Sequence, residues 1–123
     1  MTGWICTSVT PYFDIKTKTQ RLKSRPVLVI GQADSEDYAV LPISRVTNSA
    51  HLSDVYDVKI DPATFPDSGL AQVSYVRTHK QIFVNNHAIT GKICDLKTVY
   101  PDLYLEIAVK LEEYNRELLD NII

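Results

Sequence analysis

Two dense aliphatic runs, residues 26–32 (PVLVIGQ) and 38–43 (YAVLPI), flank the short polar stretch ADSED at 33–37. Val, Leu and Ile in runs of this length, separated by Asp and Ser, encode two buried strands joined by a turn. The chain is therefore committed to an antiparallel hairpin and a sheet built around it. A turn centred between Asp34 and Ser35 sets Gln32 opposite Asp37 and brings Arg25 opposite Ser44 at the open end, where facing Cβ atoms lie roughly 5 Å apart. A slip of one residue would give Arg25 the neighbouring Arg45 or Ile43 instead. Proline constrains the same hairpin: Pro26 fits the first position of a strand, whereas Pro42 requires an edge or a bulge, because it has no N–H for a ladder.

Around this hairpin the sequence reads as further short strands. Residues 4–10 (WICTSVT) are β-branched and aromatic, with Pro11 as the expected stop. Residues 12–24 are polar, with Thr and Lys in alternation, and are expected to form a mobile basic loop. Residues 55–60 alternate, placing Tyr56, Val58 and Ile60 on one face and Asp57 and Lys59 on the other. Residues 71–77 form another strand, with Val73 and Tyr75 sharing a face, and 82–84 and 89–94 are short apolar pieces. The period then changes: Leu103, Ile107, Leu111, Tyr114 and Leu118 fall on one face of a helix of about four to five turns, with Asp102 as the expected N-cap. The fold class is mainly β with a C-terminal helix, a small barrel or curled sheet with the helix packed on it. With 123 residues there is room for one core, so residues 1–123 form a single domain.

Composition excludes several classes. A net charge of −2 argues against coating nucleic acid through bulk positive charge. No apolar stretch approaches the roughly 20 residues of a membrane span, and no basic and apolar leader is visible, so no membrane partner and a cytoplasmic location are expected. Cys6 and Cys94 have no CxxC or His partner, and no HxH, HExxH or carboxylate cluster appears; the expectation is buried thiols, no metal and no cofactor. Charge is nevertheless uneven. Lys16, Lys18, Arg21, Lys23 and Arg25 occur without an acid, whereas the helix carries Glu106, Glu112, Glu113, Glu117 and Asp120.

A guanidinium at Arg25 beside the Ser44 hydroxyl is suited to gripping a phosphate and stabilising charge that builds on it. The competing reading is a solvated arginine at a strand start and a serine in a turn. His79, at the end of a strand, is a candidate proton shuttle, with a solvated histidine as its alternative; His51 and His87 lie in polar turns. Lys16, Lys18, Arg21 and Lys23 are candidates to follow a phosphate backbone, with a solubilising loop as the alternative, and Tyr12, Phe13 and Tyr38 to stack on bases, with packing as theirs.

The ordered set KSRPVLVI (23–30), LPISRVTN (41–48) and SYVRTHK (74–80), followed by an amphipathic helix, resembles the MazF/PemK family of bacterial toxins over most of the chain. The resemblance implies an SH3-like barrel that assembles as a homodimer. It implies a metal-independent, sequence-selective endoribonuclease that cuts single-stranded mRNA to 2′,3′-cyclic phosphate and 5′-hydroxyl ends under the control of a cognate acidic antitoxin. By the matching motifs, Arg25 and Ser44 take catalytic positions, while Arg45, Thr47, Asn48, Arg77, Thr78 and Lys80 fall among the RNA-binding ones. Two departures matter. Ser74 stands where some members carry an acidic residue, leaving His79 as the candidate base, and Gly3 and Trp4 replace the family's initial Gly-Asp. Two other classes stay open: a gyrase-binding poison of the related CcdB type, whose aromatic tail this chain lacks, and an inactive relative that retains RNA or antitoxin binding.

Overall fold

A computed structural model describes residues 1–45 and 48–123. Seven strands form one curled sheet: β1 (Trp4–Asp14), β2 (Thr19–Gln32), β3 (Asp37–Ser44), β4 (Asp57–Ile60), β5 (Ser74–Arg77), β6 (Ile82–Asn85) and β7 (Ile89–Asp95). Their order is β4-β5-β3-β2-β1-β7, with β6 also paired to β3, and every pairing is antiparallel. A short helix α1 (Leu96–Val99) and the long helix α2 (Pro101–Ile122) complete the chain. The architecture is a mainly β half-barrel with a C-terminal helix.

The central hairpin forms as the aliphatic runs require, but not in one uninterrupted register. Val27, Leu28 and Val29 face Pro42, Leu41 and Val40; an irregularity then follows, and Gln32 faces Tyr38 rather than Asp37. The turn explains the shift. The Asp34 carboxylate accepts from the backbone N–H groups of Glu36 and Asp37, both at 2.8 Å, which draws the turn to the C-terminal side. At the other end the ladder stops at Val27 and Pro42, so Arg25 and Ser44 are not partners; Arg25 pairs with Ser8 and Ser44 with Tyr75.

Prolines account for that stop. Hydrogen-bonded and non-hydrogen-bonded pairs alternate along an antiparallel ladder. Val27 with Pro42 has to be of the second kind, since Pro42 has no N–H, so the next pair, Pro26 with Ile43, would need a donor that Pro26 lacks. Pro42 also sits where the other edge of β3 changes partner, from β6 (ending at Ile82 opposite Val40) to β5 (beginning at Val76 opposite Ile43). The edge expected for Pro42 exists there as a gap between two ladders.

The sequence reading fails most clearly at residues 12–24, which are not a loop. β1 runs through Pro11 to Asp14 and pairs with β2 as far as Asp14 opposite Thr19, forming a two-stranded arm. Alternating Thr and Lys suit a solvated strand, and beyond Ser8 β1 has, among the described residues, β2 as its only ladder partner, the edge condition that tolerates Pro11. Asp14 closes the tip by accepting from the Lys16 N–H at 2.9 Å, with Lys18 in a left-handed conformation.

Two apolar layers hold the sheet. On the concave side Ile5, Leu28, Leu41, Ile43, Val58, Ile60 and Val76 meet Cys94, Leu96, Leu103 and Ile107; on the other, Cys6, Val27, Val29, Val40 and Val84 pack beneath Met1, Trp4 and Tyr38. Both cysteines are buried within these layers. In β5 the inward residues are Ser74 and Val76, opposite to the expected parity of Val73 and Tyr75. Helix α2 has Pro101 in its first turn, Tyr100 at the N-cap and Asp102 inside the first turn, where its charge still favours the helix dipole. Its 22 residues exceed the expected length: Leu103 and Ile107 are buried against the sheet, while Leu118, Leu119 and Ile122 toward its C-terminus are exposed.

Helix docking therefore rests on Ile107 rather than on the distal leucines. Ile107→Ala should cost about 2–5 kcal/mol and Leu118→Ala no more than about 0.5 kcal/mol, read as shifts of the urea unfolding midpoint.

Candidate functional site

Where β2 and β3 separate, an open cleft of about 480 Å³ remains. β2 lines it with Lys23, Ser24, Arg25 and Pro26, and β3 and the residue after it contribute Ile43, Ser44 and Arg45. The third wall is Leu70, Ala71 and Gln72 with Ser74 of β5. The cleft thus carries three cations and three serine hydroxyls, and no carboxylate is among its lining residues. Arg25 and Ser44 share this cleft, although the two prolines keep them from being ladder partners. Among the described residues the Arg25 guanidinium has no ion-pair or hydrogen-bond partner, whereas Arg45 Nη1 donates to Gln72 Oε1 at 2.5 Å. Three cations facing solvent without a neutralising acid form a site for an anion.

The Leu70–Gln72 wall was absent from the sequence reading. A short 3-10 turn, Pro66–Ser68, ends at Gly69 in a left-handed conformation (φ 78°), and a Cβ there would run into the Ile93 side chain. The chain is thereby turned back toward the cleft, and Ser74 Oγ, buried, donates to the Gln72 carbonyl at 2.9 Å. A glycine after Pro-Asp-Ser was the available signal.

The arm continues the cleft. Its register places Arg25, Lys23 and Arg21 on one face with Ser8, Thr10 and Tyr12, at steps of two residues, roughly 7 Å. Arg21 is 3.4 Å from Asp14 and more than half exposed, so solvent screens the pair. Lys16 and Lys18 are exposed at the tip. Phe13 pairs with Gln20 and Pro11 with Leu22 on the opposite, apolar face, while Tyr38 packs on the second core. Of the three aromatic candidates only Tyr12 shares the basic face.

Other expected site residues lie elsewhere. Arg77, opposite Asp57 across β4 and β5, bonds through Nε to Asp57 Oδ1 at 2.7 Å and through Nη2 to the His51 carbonyl at 2.9 Å. Asp57 lies, as the alternation requires, on the face opposite Val58 and Ile60, yet its side chain is only 1% exposed because Arg77 covers it. Thr78 is fully buried and donates to the Tyr56 carbonyl at 2.6 Å. Arg77 and Thr78 are thus internal fasteners rather than groups offered to RNA. Asn48 accepts from the Ala50 N–H at 3.0 Å and caps a 3-10 turn, and Lys80 is exposed beyond β5; neither lines the cleft. Thr47 lies outside the described residues.

His79 does not lie in the cleft either. Ser74 lines the cleft and His79 follows the opposite end of β5; Ser74 to Arg77 alone spans roughly 10 Å. The imidazole packs by Tyr56 and Tyr114 at ring separations of 6.1 and 6.3 Å, and its buried Nδ1 is 3.7 Å from Asp57 Oδ1 with no hydrogen bond. Burial pushes its pKa below the ordinary histidine value; Asp57 opposes that shift, and Arg77 and Lys80 add to it. Tyr56 in turn donates to Glu117 and stacks edge-on to Tyr114, so this cluster fastens α2 to the sheet. Its position does not fit a base acting on groups held by Arg25 and Ser44.

Among the described residues no three His, Cys, Asp or Glu side chains converge to hold a metal ion, and no helix is long and apolar enough to cross a membrane. Comparison of the chain with protein-family models and with curated proteins gives no match in either.

The cluster predicts a pH dependence. Unfolding releases His79 to water, where it binds a proton more readily, so its contribution to stability is present above about pH 6.5 and is lost as pH falls toward its lower folded value. The unfolding midpoint should fall on acidification below pH 6.5, and His79→Gln should flatten that slope.

Proposed function

We propose that this protein is an endoribonuclease whose active centre is the cleft between β2 and β3. The observation that carries this reading is the Arg25 guanidinium, unpaired among the described residues, sharing with the Ser44 hydroxyl a cleft whose lining holds no carboxylate. The family likeness of the KSRPVLVI, LPISRVTN and SYVRTHK segments to MazF/PemK toxins supports it, as does the cationic face of the arm, which extends the cleft along the path of a polynucleotide.

The chemistry asks little of the protein, because RNA carries its own nucleophile. The 2′-oxygen attacks the adjacent phosphorus, the P–O5′ bond breaks, and the 5′-oxygen takes a proton, giving a 2′,3′-cyclic phosphate and a 5′-hydroxyl. Arg25 stabilises the added negative charge of the phosphorane and can donate to the departing oxygen, while Ser44 holds a nonbridging oxygen. Lys23 and Arg45 draw the backbone in, and Arg21, Lys16 and Lys18 track it beyond the cleft. With neither imidazole nor carboxylate lining the cleft, the 2′-proton leaves to solvent, and the rate comes from alignment and charge stabilisation. No metal takes part. The same acid-free surface suits a cognate acidic antitoxin, and the proposal includes a homodimer acting in the cytoplasm as an SH3-like toxin.

Purified protein with EDTA should cut a long single-stranded RNA and leave the DNA of the same sequence intact, since DNA lacks the 2′-hydroxyl. Arg25→Ala should lower cutting by about 10²–10³-fold with the far-UV spectrum unchanged, and His79→Ala should still cut. RNA that stays whole at every pH tested overturns the enzyme reading; retained RNA binding would then leave the inactive-relative class, and capture of gyrase the poison class.

A further inference from the structure

The cleft holds more than the phosphate position. Gln72 stands at its far wall, and its carboxamide is oriented by Arg45. Arginine has donors and no acceptor, so the 2.5 Å contact from Arg45 Nη1 fixes the amide with Oε1 toward the guanidinium and the NH2 group away from it. The backbone beneath is fixed as well, by the buried Ser74 hydroxyl donating to the Gln72 carbonyl at 2.9 Å. The pair therefore offers the cleft the Gln72 amide hydrogens and the remaining Arg45 N–H groups, a wall rich in donors, with one of the two lone pairs of Gln72 Oε1 taken by Arg45.

Base edges differ in what they return to such a surface. Guanine presents two adjacent acceptors, O6 and N7, with no donor between them, whereas adenine pairs its N7 with an N6 amino donor. Cytosine carries an exocyclic donor, and uracil sets an N–H between its two carbonyls. In a single strand these edges are free to be read. An array of donors at one wall thus complements the guanine edge and opposes an adenine amino group to other N–H groups.

We propose that Gln72, positioned by Arg45, forms a guanine-selective base subsite beside the Arg25 and Ser44 phosphate position. This rests on the reading of the cleft as an RNA site and adds which base it selects. Arg45 acts here as a positioning residue for Gln72 as well as a donor. Lys23 and Ser24 line the cleft on the β2 side.

The test measures binding separately from cutting. Short oligoribonucleotides with 2′-O-methyl riboses cannot be cleaved, and versions differing at one purine, guanine, adenine or 7-deazaguanine, are titrated against the full chain by fluorescence anisotropy. The guanine oligomer should bind about 10-fold or more tightly than the adenine one, and 7-deazaguanine, which lacks the N7 acceptor, should lose most of that advantage. Gln72→Ala should bring the guanine-to-adenine ratio close to one, whereas Arg25→Ala should weaken all three oligomers by a similar factor and keep the ratio. Equal binding of guanine and adenine, or a ratio unchanged in Gln72→Ala, overturns the subsite while leaving the ribonuclease reading in place. If no oligoribonucleotide binds and no RNA is cut, the RNA reading of the cleft falls and the subsite with it.

Discussion

The missing N–H groups of Pro26 and Pro42 set the geometry on which everything else in this molecule depends. Together they prevent β2 and β3 from zipping beyond Val27 and Pro42. Past that point β2 follows β1 into the arm and β3 follows β5 toward β4, so two strands that are neighbours in the core become opposite walls of a cleft. Had the ladder continued, Arg25 and Ser44 would have faced each other across a closed sheet, with little space for a ligand. Separation of the strands converts a cross-strand pair into a site about 480 Å³ in volume. Arg25 and Ser44 keep ladder partners on their other edges, Ser8 and Tyr75, so both walls of the cleft stay anchored in the sheet.

How far the sequence was legible follows from the same physics. The aliphatic runs at 26–32 and 38–43 left no alternative to a buried hairpin, and the spacing of Leu103, Ile107 and Leu111 left none to a docked helix. Local patterns of that kind report burial directly. Residues 12–24 were misread because a solvated two-stranded arm needs no apolar face, and a polar strand and a polar loop have the same composition. The true partner of Gln32 depended on the Asp34 turn pulling on two N–H groups, which composition alone does not resolve. Asp57 looked like the polar half of an alternating strand; only pairing it with Arg77 across β4 and β5 reveals why a carboxylate can be buried there. Gln72 and the Leu70–Ala71 wall depend on Gly69 turning the chain, a tertiary event carried by a single residue.

Arg25 and Arg77 show why an arginine at the end of an apolar run cannot be assigned from its local sequence. Both lie at the end of an apolar segment, and both are permanently cationic. Arg77 is 16% exposed at the side chain and is held by a carboxylate and a carbonyl. Removing its charge from water is tolerable because Asp57 is buried with it and Nε and Nη2 both donate to acceptors. A guanidinium so engaged would have to break that pair to bind a phosphate, and breaking one leaves an uncompensated buried charge. Arg25 has the opposite position, exposed and without a partner among the described residues, so anion binding adds an interaction without disrupting one. The free arginine is available for binding, and the paired one holds β4, β5 and the His51 carbonyl together.

The two ends of β5 therefore differ in kind, one bordering an open cleft and the other tied into the packing of the helix. At its start, Ser74 opens onto a cleft without carboxylates; at its end, Arg77, Thr78 and His79 are tied into Asp57, Tyr56 and Tyr114, and through Glu117 into the helix. Histidine is the usual proton carrier near neutral pH, yet here its desolvation and its distance from the cleft direct it to packing, and the pKa shift that burial imposes affects folding stability. That leaves the cleft with donors and no base of its own, a composition suited to holding charge still. RNA, which brings a nucleophile on the neighbouring ribose, is the polymer for which holding and charge stabilisation suffice.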